Sequence, residues 1–139
     1  MKTIKTIFTV LTLTLFASIA LSHEGHDHDA PKGVTPQKGG IIKSLEQSYV
    51  EVVSKGQNVK IYFFNKELKQ QDASTYTVKA KAKKPRSKQA EVVTLKSGTE
   101  FLEANYDAKG VHRYTLELDI KDPKESHSDT IDFVVEPRK

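Results

Sequence analysis

The chain contains no cysteine, and that one absence removes several classes of protein at once. No disulfide can staple the fold, no thiolate can hold a metal, and no lipid-acceptor thiol follows the amino-terminal segment, which excludes a bacterial lipoprotein. Sulfur is otherwise confined to Met1, the single methionine among 139 residues, so a thioether set for copper(I) is missing too. Apolar runs are equally scarce. The longest, Ile7 to Ala20, is broken by threonines and one serine and falls short of the about 20 apolar residues that a membrane-spanning helix needs. No Gly-x-Ser-x-Gly elbow or other nucleophile setting occurs, and paired acids such as Glu117 and Asp119 fall on a solvated strand face. An enzyme is therefore not expected. Neither an internal repeat nor a second domain is visible.

Lys2 and Lys5 ahead of the Ile7–Ala20 run have the form of a secretory signal. Small residues offer cleavage after Ala20 or after Ser22, the second being preferred, so residues 1–22 are read as a signal peptide and the product as periplasmic or secreted. No stable membrane insertion is expected after cleavage. Removing the two signal lysines leaves 20 basic against 18 acidic side chains, a net +2, so the basic pI of about 9.2 says little about partners. Nucleic acid as a partner conflicts with export. About 117 residues remain, enough for one domain with one core.

Immediately after the signal stands His23-Glu24-Gly25-His26-Asp27-His28-Asp29, which holds three of the chain's five histidines. Imidazole nitrogen suits zinc, copper(II) and nickel(II), and the carboxylates of Glu24, Asp27 and Asp29 add oxygen donors. The run is too polar and too glycine-broken to fold alone. A flexible segment must be ordered on binding, so its metal is expected to be weakly held and poorly selected. If His23 becomes the first residue, its free amine and ring nitrogen chelate copper(II) as half of a histidine brace. Cleavage after Ala20 instead places a histidine third from the amine, a square-planar arrangement for copper(II) or nickel(II). A bland alternative is a solvated spacer whose histidines do nothing.

Residues 23–37 are read as this flexible head plus an extended linker with Pro31, Pro36 and Gly33, and residues 38–139 as the domain. Period-two alternation dominates the domain. Tyr76, Val78, Ala80 and Ala82 oppose Thr77, Lys79, Lys81 and Lys83, and Tyr114, Leu116, Leu118 and Ile120 oppose Arg113, Thr115, Glu117 and Asp119. Each set puts one apolar face against one wet face. Predicted strands are 41–45, 48–55, 58–65, 75–84, 90–96, 100–106, 111–121 and 130–136, separated by turn signals such as Lys55-Gly56-Gln57-Asn58 and Asp122-Pro123-Lys124-Glu125. Helical periodicity is confined to a short stretch from Lys66 to Ala73. The fold class is all-β: a single immunoglobulin-like antiparallel sandwich of seven or eight strands.

The two remaining histidines flank the last predicted hairpin. A turn at Asp122–Glu125 places Ile120 near Ser128 and keeps His112 and His127 about 27 Å apart at ~3.4 Å per residue, so they cannot share an ion. His127 reads as an exposed loop residue and His112, with the parity of Tyr114, as a structural residue at the core edge. Lys79, Lys81, Lys83, Lys84, Arg86 and Lys88 crowd one hairpin. They read either as a docking surface for an anionic or protein partner of the envelope or as a solvated face protecting a sheet edge.

Pro36-Gln37-Lys38-Gly39-Gly40, then Tyr49-Val50-Glu51-Val52-Val53 and Val59-Lys60-Ile61-Tyr62-Phe63, resemble a family of small exported β-sandwich domains associated with heavy-metal efflux. Members of that family carry a His-rich head, a Pro-His-Gly-Gly turn and an aromatic-x-Glu strand. The resemblance implies a metal-binding role, zinc, copper, nickel or cobalt as cargo, and a metal-efflux adaptor subunit as partner. Glu51 falls on the family's strand glutamate. Lys38 stands where the family has a histidine, so the domain lacks that ligand. The Gly39-Gly40 pair is expected to permit positive φ and close backbone approach.

Overall fold

The computed structural model describes residues 30–137. Eight strands form: β1 Ile41–Ser44, β2 Ser48–Lys55, β3 Asn58–Asn65, β4 Thr77–Lys83, β5 Glu91–Val93, β6 Leu102–Asn105, β7 Tyr114–Lys121 and β8 Asp129–Val135. They make two four-stranded antiparallel sheets, ordered β1-β2-β3-β6 and β5-β4-β7-β8. This is the all-β sandwich that the alternation predicts. It shares the sandwich architecture of immunoglobulin-like domains while starting with a three-strand meander inside one sheet, unlike the constant-type order.

Alternation explains both inner faces. Val50, Val52, Ile61 and Phe63 from one sheet meet Ala80, Ala82, Leu116, Leu118, Ile131 and Phe133 from the other, all buried. Phe63 stacks on Tyr76 with centroids 3.9 Å apart and planes within 8°, and the Tyr106 and Tyr114 rings lie 4.8 Å apart. Burial of about ten such side chains, at ~1.5–3 kcal/mol each, supplies the main force holding the sheets together.

The structure departs from the sequence reading in several places, the ends of β4 and β6 among them. The Lys66–Ala73 stretch is not helical; it holds a turn at Lys66–Glu67, a bridge from Gln70 to Phe64, and a single 3-10 turn at Ala73–Thr75. Asn65 explains the loop, because its side-chain oxygen accepts from the amides of Glu67 and Lys69 and so competes with helical bonding. β5 is three residues long, against the expected seven. β7 begins at Tyr114, so His112 is exposed rather than at the core edge. Ile120 pairs with Asp129, one residue beyond Ser128. Finally, the lysines of β4 do not guard an edge: β4 lies between β5 and β7, and its lysines face solvent from an interior strand.

The entry to the sandwich is a strap. Glu51, on the outer face of β2 and fully buried, accepts hydrogen bonds from the backbone amides of Gln37 (2.7 Å, Oε2), Lys38 and Gly40 (both 2.8 Å, Oε1). Three convergent N–H groups around one carboxylate form a nest. The two glycines serve it differently. Gly39 has φ of +78°, the left-handed region, and at Gly40 a Cβ would collide with the Val52 carbonyl. Both expected uses of the pair, positive φ and close approach, are present.

Candidate functional site

Two turns from different sheets meet at one end of the sandwich. Leu45–Ser48 joins β1 to β2 and is closed by Leu45 N donating to Ser48 O at 2.8 Å. Residues 122–128 join β7 to β8. The turns are held together by Ser48 Oγ donating to Asp122 Oδ2 at 2.9 Å, both residues being buried. Asp122 also shapes its own loop: Oδ1 accepts from Lys124 N at 2.9 Å and its carbonyl from Glu125 N at 3.0 Å. That is an Asp-Pro turn, in which the aspartate side chain substitutes for a backbone acceptor.

This turn sends Glu125 back toward the first loop. Gln47 N donates to Glu125 Oε1 at 3.1 Å. The other oxygen, Oε2, is buried and has no hydrogen-bond partner among the described residues. Beside it stands His127, whose Nε2 lies 3.3 Å from Glu46 Oε2, 3.8 Å from Glu125 Oε2 and 3.8 Å from Asp129 Oδ1. One donor atom from each of Glu46, Glu125 and His127 falls within a 4.8 Å group. Exposure differs sharply among the three: the Glu125 side chain is 5% exposed, against 56% for His127 and 59% for Glu46.

Electrostatics at this end are unfavourable to Glu125. Its carboxyl is pushed above the ordinary 4.5 first by desolvation, then by the fields of Asp129, Asp122 and Glu46, with His127 opposing. Lys66 is the cation that feels Glu125, yet its ammonium donates instead to Leu45 O at 2.6 Å and Ser44 Oγ at 2.9 Å, and sits 4.4 Å over the Tyr49 ring. Burial lowers the Lys66 pKa, and Glu125 partly offsets that. Such a mixed nitrogen and carboxylate group has the donors to accept a divalent cation.

The six residues selected from the sequence as metal ligands, His23, Glu24, His26, Asp27, His28 and Asp29, lie outside the described residues. Glu51 is placed as a structural acceptor, with both oxygens engaged by the strap. Lys38 lies with its Nζ 5.3 Å from the Tyr62 ring centroid. His127 is the exposed loop histidine expected of it, but the reading left out its neighbours Glu46 and Glu125. A signal for two of the three was present. Glu125 and His127 stand two residues apart, the spacing that places side chains on one side of an extended chain. Glu46 carries no such signal.

On the basic hairpin, Lys81 pairs with Glu117 at 3.9 Å and Lys84 with Glu91 at 2.9 Å. Glu91 also accepts from Tyr106 OH at 3.1 Å. Lys83, Lys84, Arg86 and Arg113 line a groove of about 470 Å³ with Pro85, Tyr114, Thr115 and Val134 and no acidic side chain. Comparison of the chain with family models, with curated proteins and with solved structures finds no match.

Proposed function

We propose that this chain is an exported metal-binding protein that scavenges or delivers divalent transition-metal ions through the head from His23 to Asp29. The observation that carries the reading is the density of donors: three imidazoles and three carboxylates within seven residues, directly after a signal-like segment. With no cysteine and no methionine beyond Met1, the donor set selects borderline ions, copper(II), zinc, nickel or cobalt, over copper(I). The sandwich serves as the body that carries the head. An adaptor subunit of a metal exporter is the partner suggested by the sequence resemblance. Calorimetric titration of the exported protein with copper(II) and with zinc, beside a His23→Ala/His26→Ala/His28→Ala variant, tests this. Equal affinity and stoichiometry in the two proteins would remove the head as the site. Intact mass of the same preparations fixes the first residue.

A second reading rests on the acid-free groove beside the basic hairpin: a module that binds an anionic component of the cell envelope. Replacing Lys83, Arg86 and Arg113 with Glu abolishes sedimentation with anionic vesicles if this reading holds, and leaves it unchanged if the head alone is functional.

A further inference from the structure

The sandwich end described above has the parts of a second, folded metal site that does not depend on the head. We propose that Glu46, Glu125 and His127 bind a divalent transition ion of the zinc type.

Spacing is the first argument. A tetrahedral ion with bonds of ~2.0–2.1 Å holds its donors about 3.4 Å apart. His127 Nε2 stands 3.3 Å from Glu46 Oε2 and 3.8 Å from Glu125 Oε2, and one donor atom from each of the three lies within 4.8 Å of the others, so closure onto an ion draws any pair together by no more than about 1.4 Å. The mobile partners are the exposed ones, His127 and Glu46. Glu125 is the fixed partner, seated by the Gln47 amide on one oxygen.

The unused oxygen is the second and independent argument. Among the described residues Glu125 Oε2 is buried and makes no hydrogen bond, while its side chain is 5% exposed and its edge faces His127. An unpartnered carboxylate oxygen out of water is costly. Surrounding acids make it worse, because Asp122, Asp129 and Glu46 all act on the same group. Lys66 is turned to Leu45 O and Ser44 Oγ. A bound dication satisfies the orphan oxygen and neutralises the local excess of negative charge with one ion.

The imidazole sets the class of ion. Calcium and magnesium prefer all-oxygen shells, whereas one nitrogen with two carboxylates suits zinc, cobalt(II) or nickel(II). The loops also give a reason for rigidity: Ser48–Asp122 ties the two sheets at this point, so three donors from two separate turns are already gathered before metal arrives.

The test uses full-length exported protein with His23, His26 and His28 replaced by Ala, titrated calorimetrically with zinc and, separately, with cobalt(II) followed by visible absorption. The expected result is one zinc per chain and a cobalt spectrum of tetrahedral or five-coordinate type. Adding Glu125→Gln or His127→Ala should weaken zinc on the order of a hundredfold, since even outer-shell changes cost 10–100-fold. Circular dichroism of each variant confirms that the sandwich is intact. No zinc binding by the head-deficient protein, or binding indifferent to both Glu125→Gln and His127→Ala, overturns the proposal and leaves the head reading standing. Full binding in the head-deficient protein that is lost with His127→Ala supports this site and removes the head reading.

Discussion

Replacing Glu51 with Gln is the sharpest perturbation that the strap allows, because it keeps shape and volume while removing charge. One amide oxygen can still serve Lys38 and Gly40, but the new NH2 faces the Gln37 amide, donor against donor. Hydrogen bonds to a charged acceptor contribute about 1.5–3 kcal/mol each. Three of them set a ceiling near ~5–9 kcal/mol. The real loss is smaller, since Gln37 and Lys38 are exposed and water replaces their partner once the strap lifts. Glu51→Gln should therefore cost about 2–3 kcal/mol and Glu51→Ala about 3–5 kcal/mol. For a domain of about 100 residues, 2–3 kcal/mol lowers Tm by ~10–20 °C. Thermal and urea denaturation measure the loss. Amide hydrogen exchange at Gln37, Lys38 and Gly40 reports the strap directly. Were Glu51→Gln to unfold within about 0.5 kcal/mol of the parent, a difference typical of surface changes, with those amides still protected, the carboxylate would not be what holds this segment.

Gly40→Ala forces a methyl group into the Val52 carbonyl and should cost about 2–3 kcal/mol, whereas Gly33→Ala, at φ of +78° in open space, should cost only ~1–2 kcal/mol; similar losses at both positions in urea titrations would contradict the close approach. Alkaline pH should weaken the fold. Burial, helped by the field of Tyr106, raises the Tyr114 hydroxyl from 10.0 to about 12, and burial likewise raises Tyr62, Tyr76 and Tyr106. The folded state thus favours the protonated phenol, so this stability is whole below pH 10.0 and declines as pH climbs through about 12. For Tyr114, two units correspond to about 2–3 kcal/mol. A Tyr114→Phe variant whose stability fell just as steeply over that window would refute the assignment. Glu125→Gln should stabilise metal-free protein at neutral pH, because its raised pKa means that ionising this carboxyl opposes folding. The gain should fade below about pH 4.5, where both states hold the proton, and destabilisation at neutral pH by differential scanning calorimetry would reverse that sign.

Local rules made much of this fold readable. β2 and β3 match expectation at both ends, since alternation runs to Lys55 and resumes at Asn58 around Gly56, whose φ of +60° turns the hairpin. β5 was overestimated because Glu91 and Val92 remain exposed, so no buried alternation marks where that edge strand stops. The basic ladder of β4 misled for a different reason: a wet face says which side of a strand meets water, but not whether the strand has neighbours on both edges. The sandwich-end group lay beyond such rules. Glu46 and His127 are about eighty residues apart in sequence and meet only because turns of two different sheets share one end, which depends on strand order. Glu125 was visible as an acid beside a histidine, but its orphaned oxygen is a property of packing alone.

The strap also fixes an address. Because the amides of Gln37, Lys38 and Gly40 converge on Glu51, the chain ahead of β1 is delivered to one place on the outer face of β2. That place and the Leu45–Ser48 turn stand at opposite ends of the short β1. Releasing Glu51 moves that anchorage to Ile41, the first residue of β1, so the segment ahead of the sandwich is set loose in the same act that weakens the fold.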